Sequence, residues 1–389
     1  MNTTLSSHVT PLRFSVIRSM LEKAAAYNNV ISLSIGEPDF DTPAFVCEAA
    51  MKDASRGFTH YAPSRGDEDL RAAILETERA KSGLPWAQEN LLVTSGAMHA
   101  LLAVMRTLLD EGGEVLTPAP SFSDYLGHCV LAGGRLVQVP TSFENGFLPT
   151  LEAMEAAVTP KTRALIVNSP CNPSGVVFDA ATLDMLADFA VRHDLIVISD
   201  EVYDSIVFSG KAESIATRPG MLERTVVLNS FSKAFAMTGW RVGYALGPSW
   251  LMKEMVKVLS YSVASTGSPN QRAALAALKG PQDEFLAFRE AYRRRTKLAA
   301  ERLNAMPGVR CLQPAGTFYL FPHIDAAEND SLAFALDLLD KARVIVVPGF
   351  PFGPEETVKG CIRIACTVDE NKLSEAMDRM ESYLKSLPR

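Results

Sequence analysis

The sequence is short of the features that mark several large classes of protein. No apolar run approaches the roughly 20 residues that a bilayer-spanning helix requires; Leu195–Ile198 and Val344–Val347 are typical of what is there. There is no basic run, and 38 Lys+Arg stand against 45 Asp+Glu for a net charge of −7. Such a chain gains little from phosphate counterion release, so neither nucleic acid nor a membrane is expected as a partner. The six cysteines (Cys47, Cys129, Cys171, Cys311, Cys361, Cys366) form no CxxC or zinc-like spacing. Reduced thiols in a cytoplasmic protein without a metal are therefore expected. Residues 1–10 show no basic flank followed by an apolar stretch, so no signal peptide is expected. No G-x-G-x-x-G follows a predicted strand, which disfavours a nicotinamide dehydrogenase. Repeats and low-complexity segments are also missing.

What is there describes an ordinary globular chain, 47% hydrophobic and 21% charged over 389 residues. At about 150 residues per domain this suggests two domains, or one large and one small. Residues 1–16 are polar and irregular, an arm expected to lie on another surface. A helix pattern at 15–28 and a short strand at 30–35 follow. From 45 to 280 helical and strand patterns alternate, predicting an α/β domain. One helix starts near Ala97, with Met98, Leu101, Leu102, Met105, Leu108 and Leu109 at helical spacing before Gly112-Gly113. Strands are expected at 114–117, 136–139, 164–168, 195–199 and 225–229, several apolar on both faces as in a covered parallel sheet. After Gly280 the pattern is α+β. A long charged helix spans 281–305, strand-like pieces lie at 310–312, 317–321, 344–347 and 361–365, and helices lie at 331–342 and the C-terminus. The domains are accordingly drawn at 45–280, and at 281–389 together with 1–44.

In an open parallel sheet, ligands gather at the carboxyl ends of the strands. Three predicted strand ends run into Ser169-Pro170-Cys171-Asn172-Pro173-Ser174-Gly175, Asp200-Glu201-Val202-Tyr203 and Ser230-Phe231-Ser232-Lys233. A partly buried lysine in a cationic pocket can condense with an aldehyde. An aspartate facing a pyridine nitrogen keeps that nitrogen protonated, making the ring an electron sink. Ser95-Gly96-Ala97 opens a helix whose free N–H groups favour an anion, and Ser230, Ser232 and Arg241 add donors for a phosphate.

The run Ser230-Phe231-Ser232-Lys233-Ala234-Phe235-Ala236-Met237-Thr238-Gly239-Trp240-Arg241-Val242-Gly243 resembles the cofactor-lysine signature of class I/II aminotransferases, pyridoxal phosphate enzymes of fold type I. Seven further blocks stand in family order: Ser34-Ile35-Gly36-Glu37-Pro38-Asp39-Phe40; Tyr61 with Gly66 and Leu70-Arg71; Thr94-Ser95-Gly96-Ala97; Asn172-Pro173-Ser174-Gly175; Asp200-Glu201-Val202-Tyr203; Gly316-Thr317-Phe318-Tyr319; and Ile362-Arg363-Ile364. The resemblance implies a large α/β domain with a mostly parallel seven-stranded sheet, a smaller α+β domain, and a homodimer with shared active sites. It implies that Lys233 holds pyridoxal 5'-phosphate as a Schiff base and shuttles the Cα proton. Asp200 would face the ring nitrogen, Asn172 and Tyr203 the phenolic oxygen, and Phe122 the ring plane. Ser95, Gly96, Ala97, Ser230, Ser232 and Arg241 would hold the phosphate, with Tyr61 reaching it from the partner subunit. Arg363 would clamp the substrate carboxylate, assisted by Asn172 and the Gly36 backbone.

Plainer roles exist for each: Asp200 as a turn cap, Arg363 in a surface ion pair, Phe122 as core, Tyr61 as a structural tyrosine. Cys171 reads as a small filler, and His99 and His128 as helix-surface or core residues. Nothing supports a strongly acid-specific pocket, because position 98 is Met and 260–268 holds no Arg or Lys. Phe14, Ile17, Met98 and Phe318 are candidates for an apolar wall, and Arg13 for a mobile cation. The expected reaction is ping-pong transfer of an amino group from an aromatic or neutral L-amino acid to a 2-oxo acid such as 2-oxoglutarate. The alternative on the same scaffold is a β-eliminating lyase or an amino acid cyclase.

Overall fold

The computed structural model describes residues 5–387, so the first four residues of the expected arm lie outside the described residues. Seven strands build the central sheet: β1 (Leu91–Thr94), β2 (Glu114–Pro118), β3 (Arg135–Val139), β4 (Thr162–Asn168), β5 (Ile196–Asp200), β6 (Thr225–Ser230) and β7 (Gly243–Leu246). Their order is β1-β7-β6-β5-β4-β2-β3, and only β7 runs against the rest. β4, β5 and β6 are buried almost throughout, which is why they read as continuous apolar runs rather than alternating ones.

Two of these strands, β1 and β7, are absent from the sequence reading. Each is four residues long and buried at every position. A run that short and uniformly apolar carries no period to separate strand from helix. The expected strand at 344–347 is two pieces. Val344–Ile345 pairs in parallel with Ile31–Ser32, whereas Val347–Pro348 pairs antiparallel with Ile362–Arg363.

One apolar core gathers Met20, Ile31 and Leu33 with Leu303, Leu320, Leu338, Ile364, Leu373, Met377 and Leu384. Separate cores flank the central sheet and draw on residues between Val46 and Phe285. The 22-residue helix Asp283–Asn304 runs from one region into the other, with Phe285 in a sheet-flanking core and Ala299, Ala300 and Leu303 in the first. The terminal helix Glu370–Ser386 buries Leu373, Ala376, Met377, Met380 and Leu384, the five positions expected from its period, and also Tyr383.

Register sets the site. Asn168 pairs with Asp200, and Gly243 lies between Ser230 and Thr94. Gly243 lets β7 slide under the start of the helix Ala97–Leu108: a Cβ there would lie 2.7 Å from the Asn229 carbonyl oxygen and 2.8 Å from Ala97 N. These neighbours are backbone and cannot swing aside. Gly243→Ala is therefore expected to destabilise the protein by about 1–3 kcal/mol, the usual range for overpacking, as read from urea or thermal unfolding.

Candidate active site

The strand ends open onto a cavity of about 360 Å3. Its walls include Gly36, Ala97, Phe122, Asn172, Asp200, Tyr203, Ser230, Ser232, Lys233, Arg241 and Arg363, eleven of the fourteen site residues expected from the sequence. Ser95, Gly96 and Tyr61 stand outside this lining.

Lys233 follows β6 and is half-buried, its amine end enclosed by the cavity wall. Its Nζ donates to the Gly36 carbonyl oxygen at 2.6 Å. Position 36 has to be glycine, because a Cβ would lie 1.6 Å from the Tyr319 hydroxyl. Burial, helped by the positive charges of Arg363 and Arg241, brings the Lys233 amine down to about 8. Asp200, at the end of β5, moves the other way: burial raises its carboxyl above the ordinary range, against the Tyr125 hydroxyl that donates to it at 2.6 Å. The site thus holds a lysine that gives up its proton more readily than an ordinary one, together with a buried carboxylate that the Tyr125 hydroxyl hydrogen-bonds.

Arg363 sits on the strand Ile362–Ala365 and is 1% exposed. One Nη donates to Asn172 Oδ1 at 3.1 Å, the other to the Ser34 carbonyl at 2.6 Å, and its buried Nε has no protein partner. The guanidinium lies over the Tyr319 ring, 4.5 Å from the centroid. Tyr203 and Tyr319 share a hydroxyl–hydroxyl hydrogen bond of 3.1 Å. The plainer role of Arg363, a surface ion pair, is excluded by this burial. Phe122 meets Tyr125 edge to face at 5.5 Å and faces the cavity.

Opposite lies an anion cradle. The helix Ala97–Leu108 has no acidic residue in its first turn, which leaves its N-terminal N–H groups to an anion. Ser230 Oγ bonds Ser232 Oγ at 2.9 Å, and Arg241 Nη1 reaches Ser232 Oγ at 3.5 Å and the Thr238 carbonyl at 3.0 Å. Gly96 contributes room rather than a donor, since a Cβ there would meet Arg241 Nη2 at 2.5 Å. Ser95 Oγ lies 3.4 Å from Thr266 Oγ1, and its N–H donates to His99 Nδ1 at 3.3 Å. His99 therefore braces the cradle. Tyr61 is 89% exposed on the surface of the chain.

Two expectations for the apolar wall are corrected. Phe318 is fully buried away from the cavity among Tyr203, Tyr292 and Tyr319, at 5.5, 5.0 and 4.8 Å between ring centroids. Phe14 is 92% exposed and lines nothing here. Ile17 and Met98 do line the cavity, joined by Leu21, Ile35 and Leu101. Arg18, not Arg13, is the further cation on the wall. Tyr125 and Tyr319 went unassigned in the sequence reading; only Tyr319, inside the block beginning at Gly316, left a signal there.

A parallel sheet delivering asparagine, aspartate and lysine from successive strand ends to one anion-cradled cavity defines a pyridoxal phosphate enzyme of fold type I. The donor set fits that cofactor. A buried amine of lowered pKa suits its aldehyde, a buried carboxylate its ring nitrogen, and hydroxyls with a guanidinium at a helix start its phosphate. A family model described as aminotransferase class I and II matches residues 28–380. An aspartate aminotransferase of Pyrococcus abyssi is 44% identical over 95% of this chain and 96% of its own. An aromatic-amino-acid aminotransferase of Thermococcus litoralis is 41% identical over 98% of each. The solved aspartate aminotransferase of Rhizobium meliloti superposes with a TM-score of 0.94 at 35% identity, covering 99% of this chain and all of the other. The chain belongs to the class I and II aminotransferases. It is a pyridoxal phosphate-dependent transaminase, and nothing in these relatives favours the lyase or cyclase alternative.

In the cofactor-free protein, modification of Lys233 by an amine-directed reagent is expected to rise with pH and reach half its maximal rate near 8. A midpoint at the ordinary lysine value of about 10.4 contradicts the burial argument.

Proposed function

We propose that this enzyme moves the amino group of an aromatic or neutral L-amino acid to a 2-oxo acid, with 2-oxoglutarate among the acceptors. The observation that carries the reading is the buried Lys233 amine, held on the Gly36 carbonyl in one cavity with Asp200 and Arg363. Pyridoxal phosphate supplies an aldehyde that takes up an amino group and a protonated ring that absorbs the electron pair left when a Cα–H bond breaks. Lys233 Nζ, neutral in a good fraction of molecules at mildly alkaline pH, takes and returns the Cα proton. Asp200 would hold the proton of the ring nitrogen, with Tyr125 fixing the carboxylate. Tyr203 and Asn172 would serve the phenolic oxygen, Phe122 the ring plane, and Ser95, Gly96, Ala97, Ser230, Ser232 and Arg241 would hold the phosphate. Arg363 orients the substrate α-carboxylate through donors that Asn172 and Ser34 leave available.

The side-chain preference rests on the rest of the wall. Ile17, Leu21, Ile35, Met98, Leu101 and Phe122 offer an apolar surface. Arg18 lies among them on the helix Val16–Ala24, where spacing of three to four residues turns Ser15, Arg18 and Leu21 to the same face. Its guanidinium has no ion-pair partner among the described residues and suits the distal carboxylate of 2-oxoglutarate. Relatives named for aspartate and for aromatic amino acids are about equally similar, so resemblance alone does not choose a substrate.

The same reading gives a cytoplasmic homodimer. No helix among the described residues is long and apolar enough to cross a membrane. Tyr61 and Tyr261, at 89% and 95% exposure, are large side chains free to serve a second subunit. It also divides the chain at 45 and 280; the core running from Met20 to Leu384 takes no residue between 45 and 280, while two smaller clusters bridge the two parts.

Half-reactions over a panel of amino acids test the assignment: spectral conversion of the bound cofactor, reversed by a 2-oxo acid, is required. Lys233→Ala is expected to abolish turnover, and turnover near wild type rejects its role. Arg363→Ala should lower kcat/KM by about 2–4 kcal/mol, the cost of truncating a desolvated charge contact; a change under about twofold would place the clamp elsewhere. Arg18→Gln should weaken 2-oxoglutarate by about tenfold and leave pyruvate, which lacks a second carboxylate, almost unchanged.

A further inference from the structure

Behind the site lies a buried charge cluster that the reaction does not use. Asp200, Tyr203 and Ser230 line the cavity, while their neighbours Glu201, Asp204 and Asn229 turn to the other side, Asn229 by the alternation of an extended strand, Glu201 and Asp204 from the hydrogen-bonded turn that follows β5. There they meet Glu78 and Lys81 from the helix Glu68–Ser82. The Lys81 ammonium contacts Asp204 directly and lies 3.6 Å from both Glu78 Oε2 and Glu201 Oε2. It is the only cation paired with these three carboxylates among the described residues.

The remaining bonds close the cluster. Tyr244 donates to Glu78 Oε1 at 2.7 Å, and Ser199 and Ser214 donate to Glu201 Oε1 at 2.8 and 2.5 Å. Asn229 Nδ2 donates to Asp204 Oδ2 at 2.7 Å, and Asn229 Oδ1 accepts the Ser230 N–H, also at 2.7 Å. Burial, opposed by Lys81, pushes the Glu78 and Glu201 carboxyls above their ordinary values. Three buried acids with one ammonium leave no surplus of positive charge. Without Lys81 they would be uncompensated, and they would have to protonate or move apart.

We propose that Lys81 is a positioning residue, whose ammonium holds Glu201, Asp204 and, through Asp204, Asn229, so that Asp200, Tyr203 and Ser230 keep their places around the cofactor. Separation of the acids would shift the backbone that each shares with a site residue. The turn after β5, Asp200–Asp204, and the end of β6, Asn229–Ser230, have no other ionic tie to that helix among the described residues. The inference rests on the assignment of the cavity as the pyridoxal phosphate site.

The test compares wild-type protein, Lys81→Met and Lys81→Arg by three measurements: cofactor affinity by titration, visible circular dichroism per mole of bound cofactor, and thermal midpoint of the cofactor-free protein. Lys81→Met is expected to raise the Kd for pyridoxal phosphate about tenfold and to cut the visible ellipticity by roughly half, because a site displaced by a fraction of an ångström loses much of its fit. Lys81→Arg should recover most of both. A lower thermal midpoint with unchanged Kd and ellipticity would assign Lys81 to fold stability alone and overturn the proposal. If Lys81→Met does not fold, Lys81→Gln, which keeps a donor but not the charge, must show the same two losses, and wild-type values there overturn it equally. Failure of the wild-type protein to bind pyridoxal phosphate would instead sink the site assignment.

Discussion

Burial works in opposite directions on the two ionisable groups that matter most. It disfavours the charged form of each, so Lys233 comes down while Asp200 goes up. Two guanidiniums nearby, Arg241 and Arg363, reinforce the first shift, and Asp200 makes no salt bridge among the described residues, its carboxylate accepting instead from Tyr125. A molecule bringing a positive ring nitrogen to Asp200 and a negative phosphate to Arg241 compensates both ends at once. The rest of the site serves to keep water from doing the same work less selectively.

That demand explains why the site lies at strand ends rather than on loops. Asp200, Tyr203 and Ser230 each adjoin a side chain anchored in the body of the protein, Glu201, Asp204 and Asn229 in turn. Asp200 faces the cavity while Glu201 is bonded by Ser199 and Ser214; Ser230 faces it while Asn229 is bonded to Asp204. The chemistry is set on a rigid edge because the back of that edge is fully engaged. The Gly36 loop is fixed in a comparable way. Arg295 grips Asp39 with two hydrogen bonds of 2.7 and 3.0 Å, and Phe40 stacks on Phe288 at 4.2 Å.

The sequence made the sheet legible where strands were long and apolar, as at β4, β5 and β6, and failed at the four-residue β1 and β7. For the site, motif-borne residues were legible because their types are chemically distinctive: a lysine, an aspartate and an arginine in fixed contexts. Misreadings arose where direction mattered more than type. Phe318 and Tyr319 are adjacent, so assigning the wrong one to the cavity is a single-residue error that reverses the face. Tyr125 was invisible because its bond to Asp200 spans 75 positions and nothing around it in sequence predicts a partner. Arg18 was missed for a related reason, since a helix face can be assigned only once the surface it leans against is known.

Arg363 stands where the two regions of the chain meet, with Asn172 on one side and the Ser34 carbonyl on the other. A carboxylate that engages it therefore adds a bond at the seam of the molecule as well as at the reacting centre. By mass action such a ligand favours the assembled chain over the opened one. Amino and oxo acids that engage Arg363 are then stabilisers of the enzyme as well as its reactants.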